Sequence, residues 1–209
     1  NNFKKGAPPE KMSKVYPYKK LAVRRSGWTN KAMQLFTNAE TGGQHGHPDD
    51  LHIDLYAFGY PLLTDPGNGG GYNGKLPAAY VRTETLPHNT VEINGKSQLL
   101  TSAGTNKMEL RGNGACDFLE ATTYANEGFE HTRKISFITN SYIAVTDYIT
   151  PEDLTAVNTY RQAWHTDNGG NVTVDSSSLT AKTHFAAGAN LTVMQGEKTD
   201  VRAVTDKSY

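Results

Sequence analysis

The run Gly42-Gly43-Gln44-His45-Gly46-His47-Pro48-Asp49-Asp50 is the densest polar cluster in the 209-residue chain. Two histidines separated by one glycine can turn their rings into the same space from a loop, and neutral imidazole is a good ligand for zinc and similar metals. Two further residues of the right type follow. Asp65 comes just after the apolar run Tyr60-Pro61-Leu62-Leu63, and His88 sits in Pro87-His88-Asn89-Thr90. Each lies at the edge of a predicted strand, where a side chain can be aimed. Two histidines and one carboxylate from three strand ends would make a three-ligand metal site with an open position. Against this stands chance, because a chain with seven histidines places some of them close together by accident. His52, His131, His165 and His184 read as ordinary strand or surface residues. Spacing alone leaves the matter open.

The elements that must position these residues are strands. Helical three-and-four periodicity is scarce, whereas short alternating runs rich in Val, Ile, Thr, Tyr and Phe recur. They predict strands over 21–25, 33–37, 51–58, 90–93, 118–124, 131–139, 142–149, 159–166 and 191–195. Ile93-Asn94-Gly95-Lys96 predicts a tight type I′ hairpin, since Asn-Gly tolerates two positive φ angles. Asn140-Ser141 and Glu127-Gly128 predict two more turns of a meander. Regular short strands with frequent turns point to an all-β antiparallel sandwich. The stretch 65–76 (DPGNGGGYNGKL) interrupts this rhythm with five glycines and reads as a loop, either mobile or functional. Residues 11–20, with four lysines and two tyrosines, read as a solvated approach segment.

Composition sets the outer bounds. The chain is long enough for one large β domain or two small ones with a proper core. Basic and acidic residues balance at 21 each, which argues against a general nucleic-acid or membrane-surface binder. The balance is silent on an anionic sugar, because such a site needs only a few local cations. The single Cys116 cannot form an intramolecular disulfide and reads as an inert thiol. No stretch approaches the ~20 apolar residues that span a bilayer. The polar start and the plain finish read as those of a piece of a longer protein. The organisation expected is one domain over 1–209, with an approach segment over 1–20 and a sheet region over 21–209.

Three motifs then carry a resemblance. The run 43–67, GQHGHPDDLHIDLYAFGYPLLTDPG, looks like the hallmark segment of the heparinase II/III-like polysaccharide lyases: His-x-His-x-Asp-x-Leu, an apolar strand, then Leu-Leu-x-Asp-x-Gly. His88-Asn89-Thr90-Val91, followed by Ile93-Asn94-Gly95-Lys96-Ser97-Gln98, is similar to that family's His-Asn-Thr element. Upstream, Val23-Arg24-Arg25-Ser26-Gly27-Trp28 fits its approach strand. Beyond Lys107 the likeness is diffuse and rests on strand pattern and on Tyr160-Arg161-Gln162-Ala163-Trp164-His165.

The resemblance implies a fold, a reaction and roles. The fold is the family's supersandwich-like β domain without its N-terminal (α/α) toroid. His47, Asp65 and His88 fall where the family binds zinc or another divalent ion. His45 falls where a histidine helps neutralise the substrate's uronate carboxylate, and Tyr72 or Tyr80 would be the loop tyrosine of the cleft. The reaction is β-elimination. A uronate's C5 proton becomes removable once the neighbouring carboxylate is neutralised, a tyrosine or histidine takes that proton, and a tyrosine protonates the leaving O4. Arg24, Arg25 and Arg82 could bind sulfate or carboxylate through their planar forks, and each also reads as a surface residue. The implied substrate is an anionic polysaccharide or oligosaccharide, heparin-like or alginate-like. The implied location is periplasmic or secreted, and a homo-oligomer stays open. The toroid would be the essential partner, so this chain alone is expected to be inactive.

Two other readings compete. One is a noncatalytic carbohydrate-binding or structural sandwich with a structural metal. The other is a cupin-like oxygenase, which the sequence disfavours: Leu51 and His52 stand where that fold's glutamate belongs.

Overall fold

A computed structural model describes residues 6–40, 46–67, 77–100, 106–113, 115–166, 171–186 and 188–196. In chain order the strands are β1 (Lys14–Tyr16), β2 (Leu21–Arg25), β3 (Gln34–Asn38), β4 (Ile53–Ala57) and β5 (Tyr60–Leu63). The helix α1 (Ala78–Thr83) and β6 (Val91–Ile93) follow. Then come β7 (Lys107–Gly112), β8 (Cys116–Thr123), β9 (Phe129–Ile138) and β10 (Tyr142–Pro151). The chain continues through β11 (Tyr160–Gln162), β12 (Asn171–Asp175), β13 (Thr180–His184) and β14 (Thr192–Met194). β1 to β5 form one antiparallel sheet in sequence order, and β7 to β10 form a second. β6 pairs with β11, and β12 to β14 make a small meander. The all-β antiparallel expectation holds, with one short helix added.

Alternation builds the core. Ala22, Leu35, Ile53, Leu55 and Ala57 point inward from the five-stranded sheet and meet Leu119, Ala121, Ile135 and Phe137 of the four-stranded sheet. Each large aliphatic or aromatic side chain fully removed from water in this layer contributes about 1.5–3 kcal/mol. The inner face of β9 changes character along its length. Ile135 and Phe137 are apolar, while His131 and Arg133 are equally buried.

Turn chemistry sets the strand ends. Asn94 and Gly95 have φ of 55° and 66°, and Lys96 N–H bonds Ile93 O at 3.0 Å, as the predicted hairpin requires. Gly128 has φ 79°, and Asn140 has φ 56° where β9 turns into β10. The strand predicted over 51–58 is shorter than expected for the same reason. Leu51 and Phe58 have φ of 65° and 57°, so the extended run is only Ile53–Ala57, and Phe58-Gly59 turn the chain into β5. Pro61 is tolerated because β5 is an edge strand. The approach segment is also not wholly solvated, since Lys14, Val15 and Tyr16 pair with Val23, Ala22 and Leu21.

Leu51 is the costly position. A buried, bulky residue in the left-handed region costs about 1–3 kcal/mol and persists only where its surroundings hold it. Its N–H bonds Asn38 O at 2.8 Å, and its carbonyl accepts from Arg133 Nη1 at 2.7 Å. This kink sends the chain from the histidine loop into β4.

Candidate functional site

His47, Asp65 and His88 come from three separate connections. His47 lies in the segment before β4, Asp65 lies two residues past the end of β5, and His88 follows α1. One ligand atom of each lies within 4.8 Å of the other two, and the His47 and His88 ring centroids are 5.3 Å apart. The structure therefore brings together the three residues that the sequence singled out as ligands.

Hydrogen bonds fix the proton on His88. The ring is fully buried, and Nε2 lies 3.0 Å from the Val81 carbonyl, which can only accept. Nε2 therefore carries a proton. Nδ1 then faces Asp65 Oδ2 at 2.7 Å. A lone pair on each atom would repel at that distance, so the contact requires a cation between them, either a proton or a metal ion. Two imidazoles and a carboxylate on one small space are a donor set that fits a divalent transition metal. The helix α1, six residues long and absent from the sequence expectation, has its place here. It buries Val81 and presents that residue's carbonyl to His88.

The charges agree with this geometry. Burial would raise the Asp65 carboxyl, but the His88 hydrogen bond, the charges of His52 and His88 and the Gly67 N–H outweigh it and hold it at about 2. Burial would lower His88, but Asp65 prevails and holds it above the ordinary histidine value. The nearby Asp49 is pushed up, chiefly by burial, with the charges of His88 and His52 pulling the other way.

His52, read from the sequence as an ordinary strand residue, belongs to the site. Its Nδ1 accepts the Asn89 N–H at 2.9 Å, so its proton is on Nε2, which lies 3.1 Å from Asp54 Oδ1 and 3.7 Å from Asp65 Oδ2. With Nδ1 occupied and Nε2 donating, His52 orients carboxylates and is not set up as a ligand. Asn89 is the second residue whose role the sequence did not reveal. Its Nδ2 donates to Ile53 O at 2.8 Å and Thr64 O at 3.2 Å, and its Oδ1 accepts from His165 N–H and Nδ1. One side chain thus joins β4, the residue before Asp65 and the segment after β11. His165, also read as ordinary, is lowered to about 4, mainly by burial and then by the charges of His52 and His88. The signal for Asn89 was its place in the His-Asn-Thr motif. For His52 there was none beyond its position beside a strand.

The remaining site expectations divide. His45 and Tyr72 lie outside the described residues. Tyr80 is half-buried on α1, next to Val81, and Arg82 is exposed in the last turn of that helix. Arg25 is engaged with Gln34 Oε1 at 3.2 Å and lies 4.8 Å over the Trp28 ring. Arg24 is a correction. Its alternation in β2 points it inward, it is fully buried, and its Nη2 bonds Thr37 Oγ1 at 2.8 Å, so no polymer in solvent can reach it. Burial lowers its guanidinium to about 9, against the pull of Asp117.

Comparison with known proteins completes the picture. The heparinase II/III-like C-terminal family matches residues 9–207. A heparin-sulfate lyase of Bacteroides stercoris is 27% identical over 191 residues, which are 90% of this chain and 28% of that protein. The crystal structure of a heparan sulfate lyase from Pedobacter heparinus superposes with a TM-score of 0.78 at 22% identity, covering 91% of this chain and 30% of that one. A heparinase III structure gives 0.75 at 18% identity over 90% of this chain and 30% of that chain. This chain therefore spans about 30% of the length of the relatives it matches. A sandwich with three candidate ligands at its loop ends, matched along nearly its whole length, this chain belongs to the heparinase II/III-like C-terminal domain family.

Proposed function

We propose that this chain is the β domain of a polysaccharide lyase that cleaves uronate-containing chains, heparin-like or alginate-like, by β-elimination. The observation that carries the reading is the convergence of His47, Asp65 and His88. The heparin-sulfate lyase relative supports the heparin-like class of substrate.

In this reading His47, Asp65 and His88 hold zinc or another divalent cation. When bound, it ties three connections together and adds positive charge beside the cleft. His88 keeps its Nε2 proton on Val81 O, and His52 holds its own proton toward Asp54 and Asp65, so both rings stay in one orientation. His45 donates to the uronate carboxylate, lowering the barrier to loss of the C5 proton, and Tyr72 or Tyr80 serves the leaving oxygen. Arg82 offers a fork for a sulfate or carboxylate on the polymer. The remaining catalytic groups come from a helical toroid domain, and the assembled enzyme works in the periplasm or outside the cell.

Calorimetric titration of the chain with Zn²⁺ should show one site, and His88→Ala should weaken it by at least about 100-fold, since one of three ligands is lost. In the polypeptide that includes the toroid, His45→Ala should abolish the unsaturated-uronate absorbance on heparin while leaving the Zn²⁺ stoichiometry unchanged. A fully active His45→Ala enzyme would instead favour a structural sandwich with a structural metal. The chain by itself should give no turnover on heparin or alginate.

A further inference from the structure

We propose that Arg133 is a positioning residue of the metal centre, acting from the opposite sheet by gathering the backbones of two ligand-bearing loops. The proposal rests on the reading that His47, Asp65 and His88 hold a cation.

Arg133 is fully buried in β9, and its hydrogen bonds go to Asp147, Leu51 and Asn89 rather than to the three candidate ligands. Its guanidinium spreads four N–H bonds over three targets. Nε and Nη2 grip Asp147 of β10 at 2.7 and 2.9 Å. Nη1 bonds two carbonyls at once, Leu51 O at 2.7 Å and Asn89 O at 2.9 Å. Those carbonyls belong to different connections. Leu51 stands between His47 and β4 and adjoins His52, whereas Asn89 adjoins His88. A single nitrogen therefore sets the separation of the loop that carries one imidazole ligand from the loop that carries the other.

The anchor itself is held. His131 Nε2 and Gln162 Nε2 also bond Asp147, each at 2.7 Å, and Gln195 bonds Gln162 at 2.9 Å. The Trp164 ring lies 5.5 Å from the guanidinium carbon. A planar fork with several fixed donors suits this task, and a single ammonium cannot reproduce it. Leu51 also needs the clamp for its own sake, because its left-handed backbone must be maintained from outside.

Outer groups that orient metal ligands typically alter metal affinity 10–100-fold. The test measures Zn²⁺ affinity by chelator competition, and melting with and without Zn²⁺, in the 209-residue chain. Arg133→Met combined with Asp147→Leu replaces the buried pair by apolar side chains without stranding a charge. It should lose about 10–100-fold in Zn²⁺ affinity. Arg133→Lys keeps the charge and one carbonyl bond and should lose less, so it also serves if the double variant does not fold. Phe137→Leu, at the apolar end of β9, is the structural control: it should lower the metal-free melting temperature and leave Zn²⁺ affinity unchanged. Wild-type affinity in both Arg133 variants would overturn the proposal. So would an equal loss in Phe137→Leu, which would mark the effect as general loosening. If the unaltered chain takes up no Zn²⁺, the metal reading itself fails and this proposal falls with it. A wild-type chain that binds while Arg133 proves irrelevant would sink this proposal alone.

Discussion

β9 and β10 run ten residues each in unbroken antiparallel register, and their turn is three residues long. In the five-stranded sheet no strand exceeds five residues, the β4–β5 pairing is bulged, and three non-glycine residues of its connections, Lys20, Leu51 and Phe58, adopt positive φ. All three candidate ligands come from the irregular half or the connections beside it. The regular half contributes no ligand among the described residues but supplies Arg133 and Asp147. Regular strands give stiffness, and irregular connections give directions in which a side chain can be aimed. The site uses both, with the four-stranded sheet as the fixed frame and the short-stranded sheet as the adjustable mount.

The sharpest way to break this division is to damage the frame. Asp147→Ala leaves Arg133 buried without its partner, and this should cost about 3–5 kcal/mol, read as the shift in a urea unfolding midpoint. A loss below about 1 kcal/mol would mean that the four-stranded sheet does not depend on this pair.

A second change acts on the mount and depends on pH. Asp50 is buried, accepts from Thr123 Oγ1 and Asn106 Nδ2, and is raised by burial to about 7 from an unfolded value of 3.8. A carboxyl whose folded value is raised stabilises the fold fully below its unfolded value and loses that contribution as pH rises through the folded one. The contribution should thus fade between about pH 4 and pH 7, with a total on the order of 4 kcal/mol. Asp50→Asn should flatten that slope in unfolding curves taken across this range. Parallel slopes for variant and wild type would remove Asp50 from the explanation.

The smallest effect belongs to the exposed face of the frame. Lys134 pairs with Glu120 at 3.1 Å and lies 5.0 Å over the Tyr148 ring, but both partners of the ion pair are about half exposed. Lys134→Ala should move stability by no more than about 0.5 kcal/mol. A larger change would show that the stiffness of β9 draws on its outer surface as well as on its buried network.

Much of the frame was legible from side-chain types because alternation is a local property. β2, β8, β9 and β10 follow from their inward Ala, Leu, Ile and Phe, and the Asn94-Gly95 turn from its dipeptide. β1, β5, β7, β12, β13 and α1 were not read. β5 carries a proline, β1 lies in a lysine-rich stretch, and α1 is too short to display a helical period. The candidate ligands were legible because His47, Asp65 and His88 are of residue types that bind metal. Their supports were not, since Arg133 touches the site through backbone carbonyls 44 and 82 residues away in sequence. No pattern of side chains announces a bond to someone else's carbonyl. Arg24 misled for the same reason, because a charged residue in a strand gives no sign of which face it will occupy.

That the three donors arrive on three separate connections also governs when the centre can come into being. No short stretch of the unfolded chain holds more than one of the three candidate donors, so the complete set exists only once the three connections have docked. On the proposed metal reading, capture of an ion by all three donors would trail β-sheet assembly, and the rate of metal uptake in a refolding experiment would be a clock for the last loop to dock.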